Sequence, residues 1–170
     1  MSRSRTPSIK HVVAAALAFA ACAAALYAVL RPKPRIGELG YWYDLSEQQL
    51  FVAEARPVPP LRGIGGVPDD AYPAVVIRGK SGSDRRVAYL TSCTDELRDL
   101  RLQALQAEAR GEPPPDRLGD RLWVTENTLV RSLTDEHWRP KNSPEGLAII
   151  AVLTEPDAAG EYPRVCGPED

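Results

Sequence analysis

Tyr41-Trp42-Tyr43-Asp44-Leu45-Ser46-Glu47-Gln48-Gln49-Leu50-Phe51-Val52-Ala53 is the stretch on which the fold turns. Two runs rich in aromatic and aliphatic residues, Tyr41 to Leu45 and Gln49 to Ala53, flank the polar Ser46-Glu47-Gln48. Such side chains suit a pleated, half-buried surface, so two runs joined by three polar residues predict a β-hairpin. Alternation puts Tyr41, Tyr43 and Leu45 on one face and Trp42 on the other. An aromatic row of this kind reads first as the apolar side of a sheet, and only second as a binding platform.

Downstream, Arg56-Pro57-Val58-Pro59-Pro60 and Gly63-Ile64-Gly65-Gly66-Val67-Pro68 read as one long loop. Its glycines do not make a phosphate loop, which needs a strand before it and a helix N-terminus after it, whereas Asp69-Asp70 follows here. Ala74-Val75-Val76-Ile77-Arg78 and Arg86-Val87-Ala88-Tyr89-Leu90 predict a second antiparallel pair, with turn residues between them from Gly79 to Arg85. Val75 and Ile77 are expected to share one face, and Val87 and Tyr89 one face of the partner strand.

A helix should follow. Ser92 stands three residues before Asp95 in a capping-box-like start, and Asp95 and Glu96 place negative charge at the positive helix end. Leu97, Leu100, Ala104 and Ala107 recur along one stripe, and Leu102, Leu105 and Ala109 along a second, which predicts a helix covered on two sides. Gly111 is a natural stop, and Pro113-Pro114-Pro115 cannot continue it. Leu122-Trp123-Val124 and Thr128 to Leu133 add one or two short strands. Asn142 or Ser143 caps another helix, with Pro144 in its first turn, an apolar and buried body from Leu147 to Leu153, and an end at Pro156. Tyr162 to Cys166 could pair as a last edge strand.

Upstream, Val12 to Leu30 is nineteen residues without a charge, ten of them alanine. A helix of that length rises about 28 Å, close to the roughly 30 Å hydrocarbon core of a bilayer. Insertion leans on Val12, Val13, Leu17, Phe19, Leu26, Val29 and Leu30, which together contribute roughly −2 to −4 kcal/mol. Three readings compete: an uncleaved signal anchor, a secretory signal cut after Ala18-Phe19-Ala20, and a lipoprotein acylated at Cys22. The first fits the length best. Small-residue pairs such as Ala14/Ala18 are nearly unavoidable in so alanine-rich a run. The flanking cations tie, Arg3, Arg5 and Lys10 on one side against Arg31, Lys33 and Arg35 on the other, so the positive-inside bias does not choose an orientation. A short basic N-terminus before a single hydrophobic segment is the usual arrangement for an exported C-terminal domain.

The domain organisation read from this is a basic tail (1–11), a membrane anchor (12–30), a Pro/Gly stem (31–40) and a small domain (41–170). The fold class expected is α+β: a mainly antiparallel sheet of four or five strands with one main helix packed on it. The net charge of −2 conceals an asymmetry, because residues 1–35 carry six cations and no acid, which leaves a formal −8 on the rest. An acidic domain repels a phosphate backbone, so nucleic acid is not an expected partner. The basic flanks suit anionic lipid headgroups, and the partners expected are the bilayer, through residues 12–30, and an envelope protein.

Chemistry is thin. His137, in Asp135-Glu136-His137-Trp138, lacks a second His or Cys at ligand spacing and a nucleophile to serve, so it reads as part of a solvated turn leading to a buried Trp138. Cys93 stands near a helix start that would lower its pKa, beside Asp95 and Glu96, which would raise it. Asp69-Asp70 lack the further ligands of a calcium site. No catalytic residue, metal site or cofactor is expected. Cys93 and Cys166 are candidates for a disulfide if the domain faces an oxidising compartment, closing a loop of about 73 residues worth about 4 kcal/mol in the chain-entropy model; otherwise they are two separate buried thiols.

These residues give the chain a resemblance to an uncharacterised family of short, membrane-anchored bacterial proteins. It rests on the anchor, Tyr41-Trp42-Tyr43-Asp44-Leu45 with Leu50-Phe51-Val52, Ala88-Tyr89-Leu90 ahead of a helix, His137-Trp138, and Asn142-Ser143-Pro144-Glu145-Gly146. Several members of that family carry a close cysteine pair between the third and fourth strands. Gly79-Lys80-Ser81-Gly82-Ser83 has none, so no metal or redox role carries over, and the resemblance implies no activity. The function expected is a non-catalytic interaction or structural module, single-pass in the inner membrane with its C-terminal domain on the extracytoplasmic side. The alternatives are a pilin-like or accessory component of an envelope secretion apparatus, and a small envelope enzyme using His137 or Cys93.

Overall fold

The computed structural model describes residues 39–78, 85–156 and 160–169. The anchor over 12–30, its flanking cations, Cys22 and the turn over 79–84 lie outside them. Among the described residues no helix is long and apolar enough to cross a membrane.

The α+β class holds. The strands are β1 (Leu39–Asp44), β2 (Gln49–Glu54), β3 (Ala71–Arg78), β4 (Arg85–Cys93), β5 (Thr128–Arg131), β6 (Arg139–Pro140) and β7 (Arg164–Val165). The helices are α1 (Asp95–Arg110), α2 (Arg121–Glu126) and α3 (Pro144–Ile150). The sheet runs β2-β1-β3-β4-β5-β6, with β7 also on β3, and each described pairing is antiparallel. It therefore has seven strands rather than four or five; β7 falls within the stretch Tyr162 to Cys166 read as a possible edge strand, and β6, two residues long, is too short to carry a periodic pattern.

The hairpin forms as read, Tyr41 pairing Val52 and Trp42 pairing Phe51. Both faces of β1 are covered, Tyr41 being 8% and Trp42 1% exposed, while β2 lies at the edge with Val52 47% exposed. The Trp42 indole N–H donates to the Glu54 carbonyl at 2.9 Å, so the buried ring leaves no polar atom unpaired. In the β3–β4 pair the expected face-sharing of Val87 and Tyr89 fails. A bulge shifts the register, so that Val75 faces Tyr89 but Val76 faces Val87. The extra residue, Ala88, sends the two side chains to opposite faces. Val87 joins Tyr41, Val76 and Cys166 in one cluster, with Leu50 and Ala74. A second cluster holds Val58, Cys93 and Leu97, with Leu118, Trp123 and Val124.

The main helix begins two residues later than the Ser92 start implies. Ser92 is still in β4, and Thr94 is the cap, its Oγ1 accepting the Leu97 N–H at 3.4 Å. Gly111 closes the helix in the left-handed region at φ 71, as its sequence position implies. Leu97 and Ala107 of the first stripe are buried. The second stripe is not covered: Leu102 is 41% and Leu105 38% exposed.

Leu122-Trp123-Val124 is helical rather than a strand. Asp120 accepts the Leu122 and Trp123 N–H groups at 3.0 and 3.1 Å, and this cap nucleates α2. Ser143 caps α3, accepting from Gly146 at 3.0 Å, with Pro144 in the first turn. The body of that helix is less buried than its composition implies, since Leu147 is 57% exposed. Gly146 is the buried residue, and a Cβ there would run into the Pro140 carbonyl.

Candidate functional site

Asp44 is the most constrained polar residue described. It ends β1, is fully buried, and its carboxylate accepts from the Glu47 N–H at 2.9 Å, the Ser46 hydroxyl at 3.1 Å and the Ile64 N–H at 2.6 Å. Chiefly the Glu47 backbone bond, against the opposing effect of burial, lowers its pKa from 3.8 to about 2. The adjoining Asp70 carboxylate accepts the Ser46 N–H at 3.1 Å, and Leu45 N–H donates to the Asp70 carbonyl at 3.0 Å. Together they tie the β1–β2 turn to the loop before β3. The arrangement is a structural knot, with its acceptors committed to three backbone N–H groups and the Ser46 hydroxyl.

His137 is exposed, with its Nδ1 3.2 Å from Asp135 Oδ1, and that carboxylate also lies 3.6 Å from the Arg139 guanidinium. The backbone N–H of His137 and then its ring hold the Asp135 carboxyl below its ordinary range. Trp138 is half-buried rather than buried, its ring tilted 44° to that of Tyr72 with centroids 4.8 Å apart and Arg131 over it at 5.6 Å. Burial pushes the Cys93 thiol pKa up, with Arg101 and Arg98 pulling the other way. A thiol held protonated is a poor nucleophile.

Cys93 and Cys166 are both free and buried, and the structure does not make the candidate disulfide. They belong to different clusters. Cys166 is level with Val76, one residue on from the Ile77–Val165 pair, and the register beyond Ala74–Leu90 sets Cys93 level with Ala71. Five residues along β3 is about 16 Å. Val76 and Ala71 also point to opposite faces, whereas a disulfide needs Cα atoms within about 7 Å. The bland alternative, two separate buried thiols, is the one observed.

Two surfaces meet at α1. On its outer side lies the leucine stripe of Leu102 and Leu105, running towards a groove at Glu108, Gly111 and Pro114. On its sheet side a cleft of about 570 Å³ opens between Arg101 and Ala104 of α1, the segment 55–59, and Thr91, Thr128 and Lys141. Neither surface is a motif in the sequence. The stripe was legible as apolar but not as uncovered, and the cleft joins residues from six separate segments with no common spacing. Asp44 did carry a signal, an acid inside an aromatic strand ahead of Ser46-Glu47, the composition of a side-chain-capped turn. Among the described residues no group of three or more His, Cys, Asp or Glu is placed to hold a metal.

Comparison with protein-family models, curated proteins and solved structures finds no significant match for this chain.

Proposed function

We propose that this chain is a non-catalytic interaction module of the bacterial envelope. Residues 12–30 would tether it to the inner membrane, and α1 would engage a partner protein on the extracytoplasmic side. The observation that carries the partner is the uncovered second stripe of α1. An amphipathic helix normally buries one stripe and turns a polar face outward, yet Leu102 and Leu105 stand open on the helix surface. The tether is supported by the charge-free nineteen residues and by the partition of cations to the N-terminal 35 residues. The non-catalytic reading is supported by the exposure of His137 beside Asp135 and by the burial that pushes the Cys93 thiol pKa up.

Photo-crosslinking in cells tests this reading. A photoreactive residue at Leu102 is expected to give a discrete adduct with another protein, whereas one at the exposed Glu126 gives none. Equal yields from both positions, or none from Leu102, would overturn it.

A further inference from the structure

The sheet-side cleft, which shares Leu105 with the leucine stripe, carries an inference of its own. Residues 36–170 hold 23 acids against 15 bases, yet no Asp or Glu among the described residues lines the cleft, while Arg56, Arg101 and Lys141 do. Arg56 is compensated, its guanidinium lying 3.2 Å from Glu108 Oε1. Arg101 and Lys141 are both half-buried, and neither has a carboxylate partner among the described residues. Two cations that line one cleft with no acid beside them favour an anion there.

The remaining lining decides what kind of anion. The Thr91 and Thr128 hydroxyls already donate, to the Pro73 carbonyl at 3.5 Å and the Val124 carbonyl at 2.7 Å, so charge recognition falls to Arg101 and Lys141. The rest of the lining includes the apolar Val58, Pro59, Ala104 and Leu105. A volume of 570 Å³ is within the roughly 300–1,000 Å³ typical of small-molecule sites. The walls are fixed: Val58 is packed against Leu97, and the Lys141 N–H donates to the Thr128 carbonyl at 2.8 Å.

We infer that this cleft binds a small organic anion, its oxyanion held between Arg101 and Lys141 and its apolar body against Val58, Pro59 and Leu105. A bidentate guanidinium suits a carboxylate or a phosphate equally, so the head group is the point on which the test has two arms.

The test is calorimetric titration of the full-length chain in a non-ionic detergent with benzoate and with phenyl phosphate. Benzamide is the neutral isostere. Saturable binding of either anion is expected, with the tighter of the two defining the head group and benzamide at least about tenfold weaker. Arg101→Gln and Lys141→Gln should each weaken the anion about tenfold, Arg56→Gln less than about twofold. Arg101→Lys keeps the charge but not the fork and should lose less affinity than Arg101→Gln, which separates loss of recognition from loss of fold. Benzamide binding as well as benzoate, unchanged affinity in both glutamine variants, or no saturable binding of either anion would overturn the inference. Loss of the Leu102 adduct would leave it standing, and failure of the titration would leave the partner reading standing.

Discussion

Asp44 shows how one buried carboxylate can fix a turn and a loop together. Its oxygens accept from Ser46, Glu47 and Ile64, and a Cβ on Gly63 would collide with that same carboxylate. Asp44→Asn should lower Tm by roughly 5–10 °C, because an amide offers one acceptor oxygen where the carboxylate offers two. Gly63→Ala should destabilise for the complementary steric reason, and thermal unfolding measures both. The pH dependence has a definite sign. The folded carboxyl holds its proton less readily than the unfolded one, about 2 against 3.8, so its contribution is complete above about pH 4 and is lost as pH falls towards 2. The wild-type chain should therefore lose stability over that interval faster than Asp44→Asn, as acid titration of Tm would record.

The elements were legible wherever a period ran long enough to be read. The hairpin of β1 and β2, the β3–β4 pair and the sixteen-residue α1 all follow from alternation or a helical stripe. Misreadings of element type and boundary fell on short segments. Leu122-Trp123-Val124 is three apolar residues, equally consistent with a strand until the Asp120 cap is seen to accept both N–H groups. Ser92 and Thr94 are chemically alike as caps, and the choice was made by β4, whose register extends to Cys93 opposite Thr128 and leaves Ser92 in the ladder. The bulge at Ala88 has no sequence signature, and with it went the predicted face of Val87. Thr94→Ala should accordingly cost about 1 kcal/mol in denaturant unfolding, as should Gly111→Ala, which places a Cβ at φ 71.

Across the whole molecule, two consequences follow from the sheet. The first concerns its thiols: Cys93 and Cys166 lie on opposite faces, so denaturation without reductant followed by alkylation should find both free, by mass, even after export to an oxidising compartment. The second concerns the leucine stripe of α1, which has apolar surface to bury and no element of its own chain among the described residues to bury it. The most direct measurement is labelling with a membrane-impermeant maleimide of Leu102→Cys and Glu126→Cys, in spheroplasts with an intact inner membrane and again after detergent solubilisation and purification. An envelope module engaged through α1 predicts that Glu126→Cys labels in both preparations, while Leu102→Cys is protected in the membrane and reacts once purified. Equal labelling of Leu102→Cys in the two preparations, or labelling of neither site until the inner membrane is ruptured, would contradict it.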